Sequence, residues 1–220
     1  MTYCSQLLET NFSTLDLHDK VEQVLLEFEE NKLDYLPVLD GNLFLGMVHE
    51  EDILDFSPDT ELSSIQHVLV KHGVRPNDHI LHALRVRSKY YLHAVPVVNE
   101  KNEWEGLISE EKLLDAVTAM IGASDPGSFL IIEMMRSEYA PGIINRLVES
   151  NDAMIMQMNT VADAQTGMIQ VLLKINKEEI SDIVATFQRH EYNVLYYYGE
   201  ETYDNALQNN LDHLFNYLNI

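Results

Sequence analysis

An internal repeat limits what this chain can fold into more than any other feature. Asp19, Val21, Val24 and Leu25 recur as Asp78, Ile80, Ala83 and Leu84, an offset of 59 residues. Leu36, Pro37, Val38 and Leu39 recur as Val95, Pro96, Val97 and Val98 at the same offset. One residue is inserted in the following turn, after which Phe44, Gly46, Met47 and Val48 match Trp104, Gly106, Leu107 and Ile108 at an offset of 60. Ile53 and Leu54 likewise match Leu113 and Leu114. Two copies of one supersecondary unit must bury their apolar faces against each other.

Each copy reads as helix, strand, turn, strand, helix. Val21, Val24, Leu25 and Phe28 fall on one face of a helix, with Asp19 in N-cap position. Tyr35–Leu39 is a short apolar strand, and Asp40-Gly41-Asn42 is a turn leading into Leu43–Val48. Pro37 has no N–H to give, so its strand must be an edge or unpaired at that point. In the second copy the turn is Asn99–Asn102. The closing helix there takes its apolar face from Leu113, Leu114, Val117, Met120 and Ile121 and ends at Gly122.

The duplicated pattern of apolar-Pro-Val, then Gly and a final Leu-containing helix, resembles a tandem CBS pair, the Bateman module. The resemblance covers about residues 1–121, with copies at 1–60 and 61–122. It implies two β-α-β-β-α units related by a pseudo-twofold axis, dimerisation, and adenosine-type ligands in the clefts between repeats. Nucleotide-binding members follow the last strand with Ser/Thr-x-x-Asp. Here the first copy has His49 and Asp52, and the second has Ser109 and Lys112, so each keeps half of the pair. Beside them Glu50, Glu51, Glu110 and Glu111 would repel a phosphate. Acids in a first turn also complement a helix dipole, so a purely local role competes with ligand binding.

Charge sharpens this question. The net charge is −22, which argues against a nucleic-acid footprint and against an anionic membrane surface. Residues 1–60 carry 14 acids and 2 bases, 61–120 carry 8 and 7, and 121–220 carry 14 and 5. Arg75, Arg85, Arg87 and Lys89 gather in the second copy. They serve either as an anion site or as complements to a helix C-terminus and to the acidic first copy. The candidate ligand contacts are Asp52 as a hydroxyl acceptor, Ser109 as a hydroxyl donor, Arg85 and Arg87 as anion partners, and the backbone around Tyr35, Pro37, Ala94 and Pro96.

A breaker-rich linker, residues 121–128, leads to a different pattern. Phe129–Met134 reads as a strand and Pro141-Gly142 opens a helix. Met154, Met156 and Met158 alternate along a second strand and are expected on a packed core face. Met168–Ile175 is a third strand, Asn176 and Glu179 read as a cap pair for a helix through Ile183 and Phe187, and Asn193–Tyr198 closes. This βαββαβ order over residues 127–200 is the ferredoxin-like arrangement. With Pro141-Gly142 at its first strand–helix junction it resembles an ACT-type domain, which implies amino-acid binding near Tyr139, Ala140, Pro141 and Gly142. The Asp or Asn common there in that family is absent. The whole order resembles acetoin-utilisation-type CBS–ACT regulatory proteins. Residues 201–220 form a predicted amphipathic helix with Leu207, Leu211, Leu214, Phe215 and Leu218 in one stripe, packing on its own domain or on another chain.

The expected fold class is therefore α+β, a CBS repeat pair plus a ferredoxin-like domain and a terminal helix. The single Cys4 and the absence of a leader pattern or long apolar run suit a cytoplasmic protein. His79 and His82 lack further ligands at metal spacing, and no nucleophile, phosphate-loop or zinc-protease motif is present. The sequence thus points to a non-enzymatic regulator without cofactor or metal. It would be a homodimer whose effector is an adenine nucleotide, another metabolite or an amino acid. The competing reading is a ligand-free assembly module with a protein partner.

Overall fold

The computed structural model describes residues 2–31, 34–163 and 165–199. The predicted helix at 201–220 lies outside them. The chain divides into two compact units between Thr118 and Ala119.

The first unit holds both repeats. Its elements are β1 (Leu15–Asp16), α1 (Val21–Asn31), β2 (Tyr35–Asp40), β3 (Leu43–His49), α2 (Ile80–Tyr90), β4 (Ala94–Val98), β5 (Trp104–Ser109) and α3 (Glu110–Met120). One sheet runs β1-β2-β3 and the other pairs β4 with β5. Helix α1 buries Val21, Val24 and Phe28, as the spacing predicts. Each such side chain contributes about 1.5–3 kcal/mol. Both prolines sit where the sheet can spare a donor. Pro37 pairs only toward Met47 on β3, while β1 meets β2 further on, at Val38 and Leu39. Pro96 offers its carbonyl to the amide of Val74 at 2.9 Å.

Two expectations fail. Asp19 does not cap α1: its carboxylate accepts from the amide of Asp16 at 2.7 Å. The amides of Val21 and Glu22 instead donate to the carbonyls of Thr60 and Pro58, 2.9 and 3.0 Å away. The first repeat also lacks its closing helix. Residues 51–55 form turns, with short-range bonds such as Ile53 N to Glu50 O and Phe56 N to Ile53 O. Pro58 biases its predecessor away from helix, leaving less than two turns to repay nucleation. In the second repeat α3 does form, burying Leu113 and Ala116, while Leu114 and Met120 are exposed rather than part of the buried face.

The repeats exchange their leading segments. Cys4 is fully buried in a core shared with Val74, Val95 and Val97 of the second repeat. Leu62, whose amide donates to Asp19 O as that of Cys4 does to the equivalent Asp78 O, packs with Leu15, Val24 and Leu36 of the first. Further along, Glu9 bridges Leu107 and Val70 bridges Met47. Gly106 and Gly46 permit these crossings. A Cβ on Gly106 would lie 2.5 Å from the Glu9 carbonyl oxygen, and one on Gly46 would lie 2.7 Å from Leu69 Cβ.

The second unit contains β6 (Ser128–Met135), α4 (Pro141–Glu149), β7 (Ile155–Ala162), β8 (Met168–Ile175), α5 (Ser181–Arg189) and β9 (Asn193–Tyr198). The sheet order β7-β8-β6-β9 is fully antiparallel, the ferredoxin-like topology read from the sequence. Leu130, Ile132, Val171 and Leu173 on its inner face pack against Ile144, Val148, Ile183 and Phe187 of the helices. Pro141 occupies the first turn of α4. Asn176 is not a helix cap, because its side chain accepts from the amide of Met154 at 2.7 Å. The methionine row is not a core face either. A register shift between Ile155 and Gln157 breaks the alternation, so Ile155 and Met158 pack inward while Met154 and Met156 are exposed.

Candidate functional site

The pseudo-twofold relation brings equivalent residues of the two repeats together. The amide of Phe44 donates to Asn102 O at 2.9 Å and that of Trp104 to Asn42 O at 2.8 Å, a reciprocal pair. The Phe44 and Trp104 rings stack with centroids 5.7 Å apart. Elsewhere Asp34 and His93, also equivalent, approach to 3.4 Å.

In the first repeat Tyr35 opens β2 half-buried, its ring edge-on to His49 with centroids 4.5 Å apart. Burial pushes its phenol above the ordinary range, helped by the carboxylates of Asp52, Asp34 and Glu51. Tyr35 and the exposed Asp52 therefore share one electrostatic neighbourhood. Pro37 is buried one residue beyond Leu36.

In the second repeat Ala94 pairs with Ser109 across β4 and β5, and Pro96 is buried between Val95 and Val97. The Ser109 hydroxyl accepts from the amide of Lys112 at 3.5 Å, at the start of α3. Its own amide donates to a carboxylate oxygen of Glu9 at 3.2 Å. Arg87 is ion-paired with Glu110. His93 lies 3.5 Å from the same carboxylate and 3.4 Å from Asp34. Arg75 donates to the carbonyls of Val98 and Asn99. Arg85 is exposed and, two residues from Arg87, points about 200° away around α2. Arg85 and Arg87, both put forward as anion partners from sequence, do not converge, and Arg87 and Arg75 already have partners. His79 and His82 do not converge either. His79 accepts from the amide of Leu81, and His82 pairs with Asp78 at 2.9 Å. Among the described residues no His, Cys, Asp and Glu group could hold a metal.

Glu9, Asp34 and His93 were not singled out by the sequence, and Glu110 only as an acid that would repel a phosphate. For Asp34 and His93 the repeat offset was a usable signal, since equivalent residues meet at a pseudo-dyad. For Glu9 there was none: the crossing segment brings it to a partner 100 positions away.

In the second unit, the Tyr139 hydroxyl lies 3.4 Å from Met158 Sδ. The Ala140 carbonyl accepts from the amides of Ile143 and Ile144, and Pro141 and Gly142 are exposed. Near this loop is a cavity of about 410 Å³ lined by residues that include Glu133, Glu138, Met168, His190, Glu191 and Tyr192. Its carboxylates, Glu133, Glu138 and Glu191, suit an amine and not a free carboxylate.

A CBS-domain family model matches residues 4–59. No curated protein matches the chain. Among solved structures, a CBS domain pair/ACT domain protein from Thermotoga maritima is 22% identical, with a TM-score of 0.51, covering 55% of this chain and 99% of that one. The CBS domains of a transcriptional regulator from Streptococcus pneumoniae are 19% identical, with a TM-score of 0.47, covering 52% and 98%. The CBS domain of a bacterial CNNM/CorC family Mg2+ transporter in complex with ATP is 17% identical, with a TM-score of 0.44, covering 53% and 87%. Among the described residues no helix is long and apolar enough to cross a membrane. The duplicated units and the family model matched over residues 4–59 show a CBS-type fold for the repeat pair, and the antiparallel sheet after the linker has the ferredoxin-type, ACT-like topology.

Proposed function

We propose that this chain is a non-enzymatic, ligand-sensing regulatory module whose small-molecule effector sits in a cleft between the two repeats. The order of repeat pair and ferredoxin-type domain, similar to that of acetoin-utilisation regulators, supports the regulatory reading. The effector shifts the population between arrangements of the module by binding one of them more tightly. Asp52 accepts from a hydroxyl of that effector beside Tyr35, and Ser109, Ala94 and Pro96 line the equivalent place in the second repeat. An adenosine-type molecule fits this scheme through its ribose and base.

The observation that carries the finer reading is that the arginines near the candidate site already have partners. Arg87 is held by Glu110 and Arg75 by backbone carbonyls. A polyphosphate would have to break these contacts while meeting Glu9 and Glu110. At 4 Å and an effective dielectric of 20, each such charge pair amounts to about 4 kcal/mol. An effector of low negative charge, such as adenosine or S-adenosylmethionine, is favoured over ATP. A second reading, an amine-bearing effector beside Tyr139–Gly142, rests on the carboxylate-lined cavity near that loop.

Thermal shift across adenosine, AMP, ATP, S-adenosylmethionine and a set of amino acids tests both. At a hundredfold excess over Kd a ligand stabilises by about 2.7 kcal/mol, or roughly 5–10 °C for a chain of this size. Adenosine or S-adenosylmethionine should give that shift and Asp52→Asn should reduce it. A shift with amino acids alone, insensitive to Asp52→Asn, would move the site to the second unit. No shift at millimolar ligand would remove the sensor reading. The homodimer in this proposal is checked by mass in solution.

A further inference from the structure

The two crossings of the leading segments share a backbone and differ in side chain. Glu9 meets Leu107 through its amide on Leu107 O at 2.8 Å and its carbonyl on Leu107 N at 3.0 Å. Val70 meets Met47, the counterpart of Leu107, through the same two bonds at 2.8 and 3.0 Å. Each crossing runs beside the last strand of a repeat, β5 ending at Ser109 and β3 ending at His49. On the second repeat the side chain so delivered is a carboxylate. Half-buried Glu9 accepts from the amide of Ser109 at 3.2 Å. Its backbone is already fixed by the two bonds to Leu107, so little freedom is lost in holding the carboxylate there. On the first repeat the half-buried Val70 carries neither charge nor acceptor on its side chain.

On the reading that an effector sits between the repeats, we propose that Glu9 is a built-in stopper. Its carboxylate holds the Ser109 place against effectors and confines them to the place beside Tyr35 and Asp52, one per repeat pair. The Ser109 amide is a donor that an effector oxygen would otherwise take. A charged acceptor holds such a donor about twice as strongly as a neutral one, so a hydroxyl does not readily displace Glu9. An anion arriving there meets the like charge of Glu9 and, at the next residue, of Glu110, whose carboxylate is engaged with Arg87. The device is repulsive, as specificity devices often are. It resides in the leading segment, so the exchange of segments between repeats also decides which repeat is closed.

The test is equilibrium dialysis of the full chain with adenosine and with AMP, on the native protein, Glu9→Val and Glu9→Gln. Valine is the residue that the equivalent crossing carries. The native chain should bind one adenosine and Glu9→Val two. The affinity for AMP should rise at least about tenfold in Glu9→Val and about threefold in Glu9→Gln, which keeps the acceptor and loses the charge. Urea unfolding checks that both variants fold, and should Glu9→Val not do so, the gain in Glu9→Gln decides. A second adenosine on the native chain would overturn the proposal, and so would an AMP affinity that neither variant raises. Failure of the native chain to bind adenosine would remove the sensor reading, whereas the role of Glu9 is decided by the AMP gain in its variants, so the two failures are distinguishable.

Discussion

The two repeats began as copies and now differ in how each ends. After β5 the second repeat continues into α3, whose first turn carries Glu110 and Glu111 and whose second turn buries Leu113. After β3 the first repeat turns sharply, and its counterpart Ile53 is just as buried without a helix around it. The carbonyls of Pro58 and Thr60 are occupied in capping α1. Buried apolar positions survived divergence, while the backbone conformation that delivers them did not. A core constrains where a side chain arrives more tightly than the path by which it gets there.

The sharpest way to break the comparison is to empty the two equivalent core positions. Ile53→Ala and Leu113→Ala should each cost about 2–5 kcal/mol, measured by urea unfolding. A cost at Ile53 well below that at Leu113 would show that the turn relaxes into the space where the helix cannot. Next come the crossing glycines. Gly106→Ala should destabilise by about 2–3 kcal/mol, because the new Cβ meets the backbone of Glu9 and φ is +142°. Gly46→Ala should cost somewhat less, since its nearest obstacle is the side chain of Leu69. Equal costs would mean that both leading segments are held with the same rigidity.

The smallest effect concerns the leading segments themselves. Cys4, the counterpart of Leu62, is a thiol in an apolar site. Burial, and then the Asp78 carboxylate, pushes its pKa to about 11 from 9.0. A raised acid leaves stability intact below its unfolded value and removes it as pH climbs toward the folded value. The native chain should therefore lose about 2 kcal/mol between pH 8 and 10.5. Cys4→Ala should lack that loss, beyond the smaller contribution of Tyr35, whose phenol is raised in the same direction. The measurement is paired urea unfolding at the two pH values. An identical pH dependence in both proteins would show that the thiol does not ionise in the unfolding transition.

Most of the fold was legible because periodicity reports burial. The spacing of Val21, Val24 and Phe28 placed α1, the Asp40–Asn42 turn placed the first hairpin, and the βαββαβ order gave the second unit its sheet. Several of the misreadings involve a local signal outbid by a partner elsewhere in the chain. Asp19 looked like a cap, but the carbonyls of Pro58 and Thr60 took that role. Asn176 looked like a cap and instead ties down Met154. The methionines alternated until a bulge broke their register. At the candidate site the sequence put forward Tyr35, Asp52 and Ser109 by their place in the repeat, and the proposed effector contacts rest on them. It did not find Glu9 on the amide of Ser109, or the Arg87–Glu110–His93–Asp34 cluster.

By itself the sequence determined that the chain is a duplicated unit followed by a ferredoxin-like one, because apolar spacing and turn residues act within a few positions of themselves. Tertiary structure alone decided the exchange of leading segments and the partners of Arg75 and Arg87. Those outcomes depend on charges and carbonyls that lie tens of residues apart in the chain and become neighbours only when the two repeats close on each other.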